Sequence, residues 1–258
     1  MRILAGNWKM NLGLAEARAL YREVGGGRAA IPGITFLVFP PLTALAALAA
    51  ARSPGDPALG AQNCHAEPKG AFTGEASPEQ VRDAGAEYVL VGHSERRRLF
   101  CENDAIVRHK LIGAWRAGLI PLLCVGETLA ERERGETRDV LARQTRRALE
   151  GAPPKAPLLA AYEPVWAIGT GVVASVEEVA EAHQWLEEEL RLAGRGDDSG
   201  NRASILYGGS VDPKNAGPLA RIERVDGFLV GGASLRADTF LAIAQTLAAP
   251  PAPAGRTD

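Results

Sequence analysis

The sequence predicts an α/β protein built as a single closed (β/α)8 barrel, and three observations carry that prediction. Eight short apolar runs alternate with longer amphipathic segments along the 258 residues. Strands that alternate with helices pair in parallel through helical crossovers. Eight such units in about 250 residues is the usual size of a closed barrel. No Ser/Gly linker or change of composition divides the chain in its middle. A doubly wound open sheet is the competing arrangement, but it needs neither eight regular units nor polar residues at so many strand ends.

In order, the predicted strands are Arg2–Asn7, Thr35–Phe39, Leu59–Asn63, Tyr88–Gly92, Ile120–Val125, Leu158–Tyr162, Ile205–Gly208 and Gly227–Val230. Between them, helical patterns cover Leu12–Val24, Leu42–Arg52, Ile106–Ala117, Arg138–Leu149, Val176–Leu192 and Pro213–Ala220. Helix starts are marked locally. Ser77-Pro78-Glu79-Gln80 sets a Ser cap before a first-turn proline and acidic residue. Ser175-Val176-Glu177-Glu178 is a capping box. His93 is followed by the helix-like Ser94–Leu99. The barrel domain is expected to span residues 1–247, with a Pro/Ala-rich tail over 248–258 that frays.

Composition is that of a folded globular chain, and the net charge of -2 argues against nucleic-acid or membrane-surface partners. Arg96-Arg97-Arg98 and Arg146-Arg147 sit among acids and read as ion-paired helix faces. Cys64, Cys101 and Cys124 lack metal-ligand spacing, and their odd number speaks against a disulfide framework. The apolar part of Met1–Asn7 is too short for a signal segment, so a reducing cytoplasm is the expected compartment.

In such a barrel the loops after the strands share one face, so their polar residues form a set. Asn7 and Lys9 follow the first strand, His93 and Glu95 the fourth, and Glu163 the sixth. Gly208-Gly209-Ser210 follows the seventh, and Gly231-Gly232 the eighth. Glycine pairs at the last two strand ends let backbone amides approach an anion, as a phosphate requires. A helix N-terminus after His93 disfavours added positive charge, which suits a neutral imidazole that donates a hydrogen bond. Pro164, Val165, Trp166 and Ile168 form an apolar cover over Glu163, making its carboxylate a stronger base. Lys9 supplies positive field for an anionic substrate. Gly169-Thr170-Gly171-Val172-Val173-Ala174 matches a dinucleotide-binding spacing, but it neither follows a strand directly nor opens a helix. A nucleotide site is therefore not expected.

These segments resemble the triosephosphate isomerase family. The resemblance rests on Gly6–Asn11, Gly92–Arg97, Ala161–Gly171, Tyr207–Val211 and Gly227–Ala233, which occur in family order and extend from Ile3 to about Leu247. It implies the TIM barrel fold and interconversion of dihydroxyacetone phosphate and D-glyceraldehyde 3-phosphate through an enediol(ate), without cofactor or metal. Glu163 would be the base, His93 the electrophile, Lys9 and Asn7 the oxyanion stabilisers, and Glu95 a support for Lys9. Amides of Gly169, Ser210, Gly231 and Gly232 would hold the phosphate. Pro164, Val165, Trp166, Ala167, Ile168, Gly169, Thr170 and Gly171 would form a lid, latched by Tyr207 and Ser210 near Ala174. The loop Gly70–Glu75 would reach into a second copy, with Thr73 as its contact in a homodimer. One departure is local: Val172-Val173 replaces a Lys and Thr-Pro start, and two β-branched residues make a stiffer hinge. Other phosphosugar barrels want paired acids or a metal at the strand ends. A non-catalytic relative should have lost Lys9, His93 or Glu163, and all three are present.

Overall fold

The computed structural model describes residues 2–153, 155–169, 172–197 and 200–248. Eight parallel strands close into a barrel in chain order: β1 (Arg2–Asn7), β2 (Ile34–Phe39), β3 (Ala58–Ala61), β4 (Tyr88–Val91), β5 (Ile120–Val125), β6 (Leu159–Tyr162), β7 (Ser204–Tyr207) and β8 (Gly227–Val230). β8 pairs with β1 in the register Ile3↔Gly227 to Gly6↔Val230, which seals the sheet. Alternating residues of each strand point to opposite faces. Ile3, Ala5, Leu37, Phe39, Leu122, Cys124 and Leu206 accordingly fill the barrel interior, while Leu4, Phe36, Val38, Leu123 and Ile205 pack outward beneath the helices.

The helices are α1 (Leu14–Arg28), α2 (Leu42–Ala49), α3 (Pro78–Asp83), α4 (Ser94–Leu99), α5 (Asp104–Arg116), α6 (Leu129–Glu133), α7 (Thr137–Leu149), α8 (Val176–Leu192), α9 (Ala216–Ala220) and α10 (Ala237–Ala248). Both sequence-level caps form. Ser77 Oγ accepts from the Gln80 amide at 3.1 Å, and in the Ser175 box Glu178 Oε2 accepts back from the Ser175 amide at 2.7 Å. Elsewhere helix limits differ from the sequence reading for local reasons. α1 continues through Gly25-Gly26-Gly27 because it packs along α10, which outweighs roughly 1 kcal/mol of propensity per glycine. α5 starts at Asp104 because the Asn103 side chain caps it, accepting from the Ile106 amide at 3.0 Å. α9 is shorter than expected because Asp212 Oδ1 accepts from the Lys214 and Asn215 amides and holds that stretch as a turn.

Among the helical histidines, His109 is exposed and His183 is wholly buried in α8. His183 Nδ1 lies 3.0 Å from the Arg224 carbonyl, to which it must donate. Burial pushes its pKa down to about 4, only partly opposed by that hydrogen bond and by Asp226. A folded-state pKa below the unfolded value of about 6.5 means full stability above pH 6.5, lost as the pH falls toward 4. Between pH 7 and 4.5 this group alone withdraws on the order of 2 kcal/mol. Urea unfolding at the two pH values should show a drop larger by that amount in the parent than in His183→Gln. Equal drops would deny His183 the effect.

Candidate active site

The chain positions its polar residues by ending each strand at the same rim. Asn7 closes β1, and its side-chain oxygen accepts from the Lys9 amide at 3.0 Å. Lys9 adopts a left-handed backbone, φ 50°, a conformation that costs a non-glycine residue about 1 kcal/mol or more. Gln62 holds it there, its amide nitrogen donating to the carbonyls of Lys9 (2.7 Å) and Phe39 (2.9 Å). The resulting turn aims Lys9 Nζ at Glu95 Oε1, 2.6 Å away. Burial raises the Glu95 pKa, but the Lys9 hydrogen bond and charge outweigh it and hold the carboxyl below the usual range.

His93 caps α4. Its Nδ1 is 3.2 Å from the Glu95 amide and accepts from it, so the ring proton sits on Nε2. That nitrogen lies 3.0 Å from Glu163 Oε1. It also lies 3.3 Å from Asn7 Nδ2, but both atoms carry protons, so only the Glu163 approach is a hydrogen bond. Glu163 Oε2 accepts from the Ser94 amide at 2.9 Å. The carboxylate is 2 % exposed. It has no lysine or arginine partner among the described residues.

The segment expected to form a lid begins directly after Glu163. Pro164, Val165, Trp166, Ala167, Ile168 and Gly169 are described, with one 3-10 turn over Val165–Ala167; Thr170 and Gly171 lie outside the described residues. Trp166 Nε1 donates to Glu127 Oε1 at 2.7 Å, and the Tyr162 hydroxyl donates to the same oxygen at 3.1 Å. Glu127 is fully buried, and this desolvation lifts its pKa despite those bonds. Tyr207 is also buried, which raises its phenol pKa, and it lies toward the Ala174 backbone. Among the described residues its hydroxyl has no hydrogen bond of good geometry. The hydroxyl sits where Gly209 would carry a side chain, 2.2 Å from the ideal Cβ, so only glycine permits this placement.

Asn7, Lys9, His93, Glu163, Gly169, Ser210, Gly231 and Gly232 line one cleft of about 350 Å³. Ser234 fixes the Gly231 turn, donating to its carbonyl from Oγ (2.7 Å) and from its amide (2.8 Å). Gly232 then opens a 3-10 helix, Gly232–Leu235. Glu95 stands outside the cleft, behind Lys9. Thr73 is not among the residues lining it and stands on an exposed irregular loop. Sequence reasoning passed over Gln62, Ser94, Glu127 and Arg97. The rule that polar residues after strands matter, applied to β3 and β5 as well, would have found Gln62 and Glu127.

A closed barrel with an acid, an imidazole and a glycine-lined basin at its strand ends is laid out as an enzyme of small phosphorylated substrates. A family model described as triosephosphate isomerase matches residues 2–247. The triosephosphate isomerase of Xanthobacter flavus is 47% identical over 245 residues, 95% of this chain and 97% of that protein. That of Syntrophotalea carbinolica is 46% identical over 242 residues, 93% and 96% of the two chains. The crystal structure of triosephosphate isomerase from Bartonella henselae matches with a TM-score of 0.86 at 40% identity, covering 95% of this chain and 98% of that one. The chain belongs to the triosephosphate isomerase family.

Proposed function

We propose that this cleft performs the family reaction, the interconversion of dihydroxyacetone phosphate and D-glyceraldehyde 3-phosphate, with Glu163 as the base that moves the proton. It is an aldose–ketose isomerisation that serves glycolysis and gluconeogenesis. The observation that carries the assignment is the 3.0 Å pairing of Glu163 with the proton-bearing Nε2 of His93 inside an anion-sized basin.

The resting pair is self-occupied: the carboxylate takes the one imidazole proton that a substrate carbonyl needs. Substrate entry replaces Glu163 at His93, and the freed carboxylate turns to the carbon between carbonyl and hydroxyl. It takes that C–H proton, and the bonding pair becomes the new C=C of an enediolate whose charge rests on oxygen. His93 donates to this oxygen, and Lys9 and Asn7 stabilise it. The family is itself the standard illustration of a histidine kept neutral by a helix N-terminus. His93 passes its proton to the former carbonyl oxygen and takes one back from the first hydroxyl oxygen, and return of the proton from Glu163 to the former carbonyl carbon then gives the isomer. No electrons leave the substrate, so the step balances with protein groups alone.

Amides of Gly169, Ser210, Gly231 and Gly232 hold the phosphate in this reading, and the remote binding orients the reacting carbons. The lid excludes water from the enediolate, which would otherwise eliminate its phosphate. Tyr207, already buried beside Ala174, and Ser210 latch the closed form.

The active unit in this account is a cytoplasmic homodimer. Met10 (96 % exposed), Leu99 and Phe100 (both 62 %) flank a hollow of about 480 Å³ that also reaches Asn7, Lys9 and Glu95. The loop bearing Thr73 and Phe72 fits that description as its counterpart on a second copy, since both surfaces are apolar and exposed. Turnover of glyceraldehyde 3-phosphate in a coupled assay tests the function. A chain that binds the phosphate but does not turn it over would support the non-catalytic reading.

A further inference from the structure

Arg97 lies on the side of the strand ends away from the substrate cleft, and nothing in the proposed chemistry uses it. Its guanidinium folds back from α4. Nε donates to the Gly92 carbonyl at 2.9 Å, Nη2 approaches the Cys124 carbonyl at 3.5 Å, and Nη1 donates to Asp104 Oδ1 at 2.7 Å. The side chain is only 16 % exposed. Asp104 is braced in turn by Arg143 at 2.5 Å.

The two carbonyls belong to the ends of neighbouring strands. β4 and β5 pair as far as Val91↔Leu123, so Gly92 and Cys124 are the next residues on each. Gly92 leads directly into His93. Two residues past Cys124, Gly126 abuts the Glu163 backbone so closely that a Cβ there would lie 1.8 Å from the Glu163 carbonyl oxygen. The Glu163 amide donates to Val125 at 2.7 Å, and Gln144 grips Gly126 through both its amide (2.9 Å) and its carbonyl (3.0 Å). One planar fork therefore ties the strand end that carries the imidazole to the strand end that seats the base. An exposed ion pair contributes little, but a tie between two strand ends sets an angle. A lysine cannot reproduce it, because it lacks the fixed fork.

We propose that Arg97 is a positioning residue, setting the geometry in which His93 and Glu163 face one another. The proposal rests on the assignment of those two residues as the proton-transfer pair. Reacting geometry off by about 1 Å can cost on the order of a hundredfold in rate. Arg97→Lys and Arg97→Gln should therefore lower kcat by about ten- to a hundredfold while KM stays within about twofold. A double variant with Glu163→Asp should lose much less than the product of the separate losses, since a base already withdrawn has little geometry left to lose. Arg97→Lys keeps the charge and the helix propensity and decides the matter by itself if the Gln variant does not fold. A lower Tm with unchanged kcat, or losses that multiply fully in the double variant, would overturn the proposal. Normal activity of Glu163→Asp alone would instead sink the assignment of the base beneath it.

Discussion

Glu163→Asp should lower kcat by about 10²–10³-fold and leave KM nearly unchanged. Proton transfer by a positioned base is worth roughly 10²–10⁴-fold and falls steeply with distance. Aspartate keeps the charge but withdraws the carboxylate by about 1 Å, the loss of one methylene. Compensation by the main chain is closed off. The Glu163 amide is tied to Val125, Gly126 presses against its carbonyl, and an ideal Cβ on Gly208 would sit only 3.0 Å from Glu163 Cγ. In the proposed reading, substrate affinity resides in Lys9 and the phosphate basin, which the substitution leaves intact. Steady-state kinetics of the purified variant checks this, and near-normal turnover would remove Glu163 from the role.

The second large effect is expected from the protruding loop. Deleting Pro68–Gly74 and bridging the gap with two glycines should give a soluble monomer with kcat reduced at least about a hundredfold. The base of the loop survives the deletion, because the His65 amide donates to the Ala76 carbonyl at 2.8 Å outside the removed segment. What is lost is Phe72, stacked on His65 at 4.0 Å yet still 43 % exposed, together with Thr73. In the dimer reading this loop covers Lys9 and Glu95 of a second copy, whose ion pair is otherwise about a third exposed. Without that cover Lys9 keeps Gln62 and Asn7 to hold a strained backbone. Light scattering across a dilution series, run beside the activity assay, reads both effects. A full-length chain that stays monomeric and fully active would contradict the account.

Much of this was legible in the residues. Eight apolar runs separated by capped helices left few topologies, and β1, β5, β8 and α8 fall where the sequence placed them. The cleft was legible for the same reason, since a closed parallel barrel brings every strand's C-terminal end to one rim. Hidden from the sequence were contacts whose partners lie far apart along the chain. The grip of Gln62 on Lys9 spans 53 residues, and the Glu127 anchor of Trp166 spans 39. The place of Gln62 and Glu127 after a strand could mark each residue, but no local pattern marks its distant partner. Arg97 read as one charge in a basic cluster, and only the fold shows that it returns to the strand ends.

The central claim is that Glu163 carries the substrate proton between two carbons. A carboxylate that holds this proton exposes it to exchange with water before returning it, whereas direct hydride transfer between the carbons does not. Turnover of D-glyceraldehyde 3-phosphate in D2O, followed by proton NMR of the product, separates the two. The account predicts deuterium on the carbon of dihydroxyacetone phosphate that receives the proton, with the rate of formation of labelled product falling in Glu163→Asp. Product formed at full rate without any solvent deuterium would contradict it.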